Sequence, residues 1–394
     1  MTDKEGGEGM TRAPLPRLPP VYAITDRAAS GVDDHIEIAR RLFAIGLRWL
    51  QVREKQLPDG RFLGVVEEVA SLAQAYGATT LVTDRVDIAR VAGVGVHIGE
   101  EDLPAALARG LLGQEALLGV STHDADAARQ AFSDPSSDYV AFGPVFASAT
   151  KPDLPPRGLQ ELARLAAFKT KPLVAIGGIT AENLDSVLDA GADTVAMVGA
   201  LLQGGRLEQN ARRVLDRARR RTRPGRIYLV GFMGSGKTAV GRRVAERLDV
   251  PFVDLDAEIE RTSGQTIRAL FEASGEAAFR QRETLFLEGT ESLPDAVIAT
   301  GAGCYAREEN RQSIAHRGIA VFLDVPFSRI LSRVSGKTDR PLFEGPKQAA
   351  RLYADREPFY RMAPIRVRLE EGPIEESADR VLNALFDRTI RAQP

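Results

Sequence analysis

Before residue 203 the chain alternates short apolar, β-branched runs with longer segments of helical period. The runs fall at 21–24, 49–52, 80–83, 96–98, 117–120, 139–142, 173–176 and 195–198. Between them, Ile36, Ala39, Leu42 and Phe43 line one face of the segment 33–45, and 62–75 repeats the pattern. Strands and helices in this alternation predict an α/β fold, a (β/α)8 TIM barrel at the short end of that fold's length range. Polar and charged side chains gather directly after the runs, at 26–27, 53–55, 83–84, 121–123, 143–151 and 177–180. Those are the carboxyl ends of strands, where barrels build their sites.

The pattern then changes. The segment 211–226 begins as a last barrel helix and becomes Arg-rich before Pro224 and Gly225, which marks a boundary. No aromatic residues interleave the arginines, so a solvated helix end and linker is expected there rather than a nucleic-acid surface. Beyond it come a strand at 227–230, a glycine-rich loop, a helix at 239–248 and strands at 252–255, 297–300 and 320–323, the order of a doubly wound P-loop domain. The expected division is a disordered tail at 1–19, a barrel at 20–222, a linker at 223–226 and a P-loop domain at 227–390. No internal repeat relates the halves.

Composition narrows the function classes. The 394 residues carry a formal net charge of -2 and 44% hydrophobic residues, which suits a cytoplasmic globular protein with neither nucleic acid nor membrane as partner. Residues 1–20 are rich in Gly, Glu and Pro and have no apolar core, unlike a signal peptide. Cys304 is the single cysteine, which excludes an internal disulfide and a cysteine-based zinc cluster. The histidines His35, His97, His123 and His316 are scattered, and structural roles are expected for them.

The sharpest chemical signal is Gly231 to Thr238, which fits GxxxxGK[ST] between a strand and a helix. In such a loop Gly234, Ser235 and Gly236 turn backbone N–H groups toward phosphate, Lys237 reaches the outer phosphates, Thr238 offers a hydroxyl to Mg²⁺, and Ala239 starts the helix. Asp254 and Asp256 stand at the next strand's tip, suited to holding Mg²⁺ and to orienting or deprotonating a hydroxyl. Arg280 supplies a guanidinium for an anionic substrate, residues 301–303 form a glycine turn, and 335–346 has the composition of a lid, with Lys337 and Arg340.

In this order the motifs GFMGSGKT, Asp254-x-Asp256, FRxxE at 279–283, the turn at 301–303, Asp339-Arg340-Pro341-Leu342 and Arg356-x-Pro358-x-Tyr360 resemble the shikimate kinase family over about 227–386. The resemblance implies ATP as co-substrate, with Lys237 and Arg340 acting on the transferred phosphoryl group and Mg²⁺ held by Thr238 and Asp254. It implies shikimate held by Asp256, Arg280, Ala302, Gly303 and Arg356, Asp256 serving as base, with Glu283 orienting Arg280. The family turn reads Gly-Gly-Gly, so Ala302 is expected to cost about 1 kcal/mol of glycine-like freedom or to reshape the acceptor pocket.

In the N-terminal half, Arg53 and Lys55 aim at the barrel mouth if alternate side chains share a face. Asp84 and Asp102, from neighbouring strand ends, suit a Mg²⁺ that also contacts phosphate. The sequences YAITDR, QVREK, GVHIGEEDLP, GVSTH, GPVFASATK and IGGIT, over about 21–201, resemble the thiamine phosphate synthase family. By that resemblance Gln51, Val52, Arg53, Glu54, Lys55, Thr83, Ser121 and Lys151 bind the pyrimidine diphosphate. Asp84 and Asp102 hold Mg²⁺, while Ser148, Ala149, Thr150, Gly178, Val198 and Gly199 face the thiazole phosphate or the leaving diphosphate. Thr83, Ser148 and Gly199 stand where the family has Asn, Thr and Ser. His123 matches the acid/base position of the related thiazole tautomerase, so a tautomerase, or a barrel that only senses a phosphorylated metabolite, stays open beside the synthase. The partners implied are small molecules: ATP, shikimate and thiamine precursors.

Overall fold

The computed structural model describes residues 18–148, 154–222, 225–334 and 345–392. The chain divides into two compact units, Met1–Ala218 and Arg219–Pro394. No helix among the described residues is long and apolar enough to cross a membrane.

The first unit is a closed barrel of eight parallel strands in sequence order. They are β1 (Val21–Ile24), β2 (Trp49–Val52), β3 (Thr79–Thr83), β4 (Gly95–Ile98), β5 (Leu118–Thr122), β6 (Tyr139–Phe142), β7 (Leu173–Ile176) and β8 (Thr194–Met197). Each strand is short, and its side chains alternate between two apolar layers. Outward residues such as Val21, Ala23, Leu50, Val52, Val82 and Val96 pack under the helices. Inward residues, among them Tyr22, Trp49, Leu81, Tyr139 and Val174, fill the barrel. Gly119 makes room for this filling, since a Cβ there would lie 2.0 Å from the Tyr139 ring.

The second unit is a five-stranded parallel sheet in the order β10-β11-β9-β12-β13, with β9 (Arg226–Val230), β10 (Phe252–Asp254), β11 (Ala296–Ala299), β12 (Gly318–Asp324) and β13 (Ile365–Arg368). The edge strand β13 has no counterpart in the sequence reading, because Ile-Arg-Val-Arg alternates buried with exposed and offers no continuous apolar run. The strand expected at 252–255 stops one residue early. Asp254 caps the helix Leu255–Ser263 by accepting from the Ala257 amide, and Leu255 already belongs to that helix. The helix Lys237–Leu248 starts two residues earlier than expected, capped by Gly236 in the left-handed conformation.

In the barrel a buried ion pair ties loops at the end opposite the strands' carboxyl tips. Arg109 donates to the carbonyls of Gly113, Ala116 and Ser136 and, at 2.8 Å, to Asp138, whose Oδ2 also accepts from the Leu118 amide. Both side chains are nearly inaccessible. Truncating the acid strands a buried guanidinium, so Asp138→Ala is expected to destabilise the barrel by about 3–5 kcal/mol. Trp49, the single tryptophan, lies in the barrel interior, so the urea midpoint of its fluorescence measures this loss without interference from the second unit.

Candidate functional site

In the P-loop unit, positive φ at Gly231, Gly234 and Gly236 bends the backbone between β9 and the following helix into a loop other residues would strain. The Lys237 ammonium donates to the carbonyls of Gly231 and Phe232 at 2.8 and 3.0 Å. A cavity of about 710 Å³ opens beside it, lined by Gly234, Ser235, Gly236, Lys237, Thr238, Ala239, Asp254, Asp256 and Ala302. The Thr238 hydroxyl donates to Asp254 at 2.7 Å, so a hydroxyl and a carboxylate already meet at the loop. Such hard oxygens suit Mg²⁺, which takes one or two protein ligands beside phosphate and water. Sequence reading missed Arg329 and Arg333, which line the same cavity from one helical face, Arg333 donating to the Gly234 carbonyl at 3.2 Å. Their four-residue spacing was the available signal.

Next to this cavity a charged cluster is packed out of water. The helix Ile267–Gly289 presents Arg280 and Glu283, paired at 2.9 Å, with Glu283 fully buried. Burial raises the Glu283 carboxyl above its ordinary value, with Asp256 adding to the rise and Arg280 opposing it. Arg356 is also buried, which pulls its guanidinium down, and it makes no ion pair among the described residues. Tyr360 donates to the Ala302 carbonyl, fixing the turn at 301–303.

Of the two consequences expected at Ala302, the conformational cost does not arise. No residue of the turn has positive φ, so Ala302 needs no glycine-like freedom. Space is the constraint at its neighbours instead. A Cβ at Gly301 would lie 2.0 Å from Glu283 Oε1, and one at Gly303 would lie 2.4 Å from the Arg280 guanidinium. Lys337 and Arg340 lie outside the described residues.

At the barrel mouth, strand alternation sorts the segment 51–55. Gln51 turns inward and donates to Thr83 Oγ1 at 2.7 Å. Val52 turns outward into the core beneath the helices. Arg53 pairs with Asp26 at 3.2 Å, and Lys55 is exposed. Glu54 faces the other way: one oxygen takes Arg27 and His35, the other the amides of Lys55, Gln56 and Leu57. Although burial opposes it, these partners hold Glu54 at about 2, so it anchors the loop as a carboxylate.

Asp84 has φ of 66°, a left-handed conformation at a strand end, whereas Asp249, the other such non-glycine residue among the described residues, sits at an ordinary helix C-cap. Burial, then the charge of the neighbouring Asp102, push Asp84 up to about 6 against the pull of Lys55 and Arg53. A carboxyl pressed toward protonation beside a second carboxylate fits a divalent cation, which would relieve the repulsion. No cluster of three or more His, Cys, Asp or Glu residues suited to a metal occurs among the described residues, so substrate oxygens or water would complete either shell.

Ser121 meets His97 Nε2 at 2.8 Å, an inward histidine whose place in the barrel its lone position in the sequence did not reveal. Gly177 and Gly178 have positive φ, and a Cβ on Gly178 would lie 2.4 Å from the Ala147 carbonyl. Gly199 opens a short helix after Val198, and a Cβ there would meet only the Gln203 amide, at 3.1 Å, so the backbone does not force the departure from Ser. Ser148 is half-buried, while Ala149, Thr150 and Lys151 lie outside the described residues. His123 Nδ1 lies 2.7 Å from the Gly143 carbonyl, which leaves Nε2 as the basic nitrogen.

A barrel with cations and paired acids at its strand ends, joined to a P-loop α/β unit with a charged acceptor cluster, defines a two-unit enzyme of the transferase class. The family profile described as "Thiamine monophosphate synthase" matches residues 21–201, and that described as "Shikimate kinase" matches 233–386. A shikimate kinase of Rhodopseudomonas palustris is 40% identical over 171 residues, 43% of this chain and 84% of that protein. A thiamine-phosphate synthase of Moorella thermoacetica is 40% identical over 204 residues, 50% of this chain and 97% of that protein. A solved shikimate kinase from Acinetobacter baumannii in complex with shikimate is 38% identical over 44% of this chain and 98% of that one, with a TM-score of 0.41. The chain belongs to both families, its N-terminal part to the thiamine monophosphate synthases and its C-terminal part to the shikimate kinases.

The packing around the 301–303 turn is directly testable. Gly301→Ala is expected to destabilise the second unit by about 1–3 kcal/mol through overpacking against Glu283. Ala302→Gly should change it by less than about 1 kcal/mol, since no positive φ is relieved. Urea denaturation followed by circular dichroism reads both.

Proposed function

We propose that the C-terminal unit phosphorylates shikimate to shikimate 3-phosphate with ATP. We further propose that the barrel joins aminopyrimidine methyl diphosphate to thiazole phosphate, giving thiamine phosphate and diphosphate, with domains at 20–222 and 227–390 linked through 223–226. The observation that carries the kinase half is Arg356: a buried guanidinium without an ion pair among the described residues, within charge range of Arg280, suits a small carboxylic acid. In the transfer the acceptor hydroxyl attacks the γ-phosphorus and yields its proton to Asp256 while the bond to ADP breaks. Lys237 and Arg340 stabilise charge on the moving phosphoryl group, and Arg280 and Arg356 orient the acceptor. Glu283, fully buried, aligns Arg280.

The paired acids Asp84 and Asp102 carry the barrel half. The thiazole nitrogen attacks the pyrimidine methylene, and the carbon–oxygen bond to diphosphate breaks. Arg53, Lys55, Lys151, Thr83 and Ser121 receive the departing charge, and Ser148 to Thr150, Gly178, Val198 and Gly199 seat the thiazole phosphate. We assign Glu54 to holding the 55–57 backbone in place. When bound, Mg²⁺ on Thr238 and Asp254, or on Asp84 and Asp102, neutralises phosphate charge. His123, with its tautomer set by Gly143, supports thiazole isomerisation as a second reading of the barrel.

Lys237→Ala is expected to lower shikimate phosphorylation at least about a hundredfold while leaving barrel coupling intact, as measured by ADP and diphosphate release. Arg356→Lys should raise KM for shikimate far more than KM for ATP, because an ammonium cannot make the two-pronged carboxylate contact; equal losses for both would point to a structural role. Diphosphate release by the barrel should vanish with EDTA and in Asp84→Asn. A tautomerase would instead ignore EDTA and fail in His123→Asn, read by isomerisation of the thiazole.

A further inference from the structure

Two neighbouring side chains of the helix Glu308–Arg317 hold the backbone just after the turn at 301–303. Asn310 is fully buried, and its Nδ2 donates to the Cys304 carbonyl at 3.0 Å and lies 3.5 Å from the Cys304 sulfur. Arg311 donates to the carbonyls of Tyr305 and Ala306 at 3.0 and 2.8 Å. A carbonyl can only accept, so the Cys304 contact fixes which way round the Asn310 amide lies, and Oδ1 faces the Thr284 hydroxyl at 3.0 Å. Two oxygens at that distance need the hydroxyl proton between them, and Thr284 shares it with the Arg280 carbonyl, 3.1 Å away. Thr284 belongs to the helix Ile267–Gly289, one turn beyond Arg280 and next to Glu283. Asn310 is thus the junction between the turn and the helix that carries Arg280.

The hold passes along the backbone. Cys304, gripped at its carbonyl, donates its own amide to the Gly301 carbonyl at 3.1 Å, and Tyr360 donates to the Ala302 carbonyl. In a trans peptide the N–H points away from the C=O. Fixing the carbonyls of Gly301 and Ala302 therefore fixes the amides of Ala302 and Gly303, neither of which has a hydrogen-bond partner among the described residues. Ala302 itself lines the cavity beside the P-loop. We propose that Asn310 is a positioning residue for the acceptor: by joining Cys304 to Thr284 it keeps these two amides in register with the Arg280 guanidinium, so that one small acid meets both at once. The inference rests on the proposal that this cluster seats shikimate.

Steady-state kinetics on the full chain, with shikimate and ATP varied in turn, separates this role from folding. Thr284→Val opens the junction on the helix side and is expected to raise KM for shikimate about fivefold, the value of one hydrogen bond, with KM for ATP within about twofold of the parent. Thr284→Ser keeps the hydroxyl and should restore the parent value. Asn310→Ala should raise KM for shikimate at least as much, and adding Thr284→Val to it should change nothing further, because the junction is already open. Should Asn310→Ala not fold, Thr284→Val and its rescue by serine carry the test alone. An unchanged KM for shikimate in Thr284→Val, equal rises for both substrates, no rescue by serine, or losses that multiply in the double variant overturns the role of Asn310. A parent that phosphorylates no shikimate overturns the acceptor assignment itself, and the role of Asn310 with it.

Discussion

In a parallel sheet sheathed by helices, side chains on both faces are committed to packing, and only the strand ends are free to meet a ligand. Both units obey this constraint. In the barrel it places Arg53, Asp84, Ser121 and Gly178 at or just beyond the carboxyl tips of four different strands. In the P-loop unit it places the phosphate loop after β9 and Asp254 at the tip of β10, with the turn 301–303 shortly after β11. The helices that follow then supply what the strand tips lack, such as Lys237 at the first turn of one and Arg280 within another.

The same alternation that fills the barrel decides which polar residues face the mouth. Gln51 and Glu54 are three residues apart and so fall on opposite faces, one in a hydrogen-bonded interior, the other under the loop against Arg27 and His35. Glu54 thus bears on the neighbouring cations indirectly, by fixing the backbone from which Lys55 projects. Electrostatics alone would have predicted a carboxylate among cations to weaken an anion site. The geometry turns it away.

Much of this was legible in the chain. The eight barrel runs stood out because each is a short, mostly apolar or β-branched stretch followed by polar residues, and the P-loop stood out because GxxxxGK[ST] falls between a strand and a helix. β13 was hidden because half its residues are exposed arginines. The meaning of Ala302 was hidden for another reason: whether a glycine serves conformation or space depends on what lies opposite, and Glu283 and Arg280 arrive from a distant helix. The place of His97 beside the mouth was hidden because register is not written in spacing; only the pairing of β3 with β4 sets it level with Thr83.

The cluster around Arg356 has a thermodynamic consequence. Arg280 is paired with Glu283 and Glu276, whereas the buried Arg356 makes no ion pair among the described residues, so the unit holds one guanidinium without a paired carboxylate in a region poor in water. That arrangement is tolerable but unfavourable, and a bound carboxylate relieves it. Acceptor affinity and fold stability are thereby linked: what binds the native cluster and not the unfolded chain shifts unfolding in proportion to the logarithm of its concentration. On the proposed carboxylate-binding role of Arg356, small organic acids in the surrounding medium would become part of this unit's stability, whether or not they can accept a phosphoryl group.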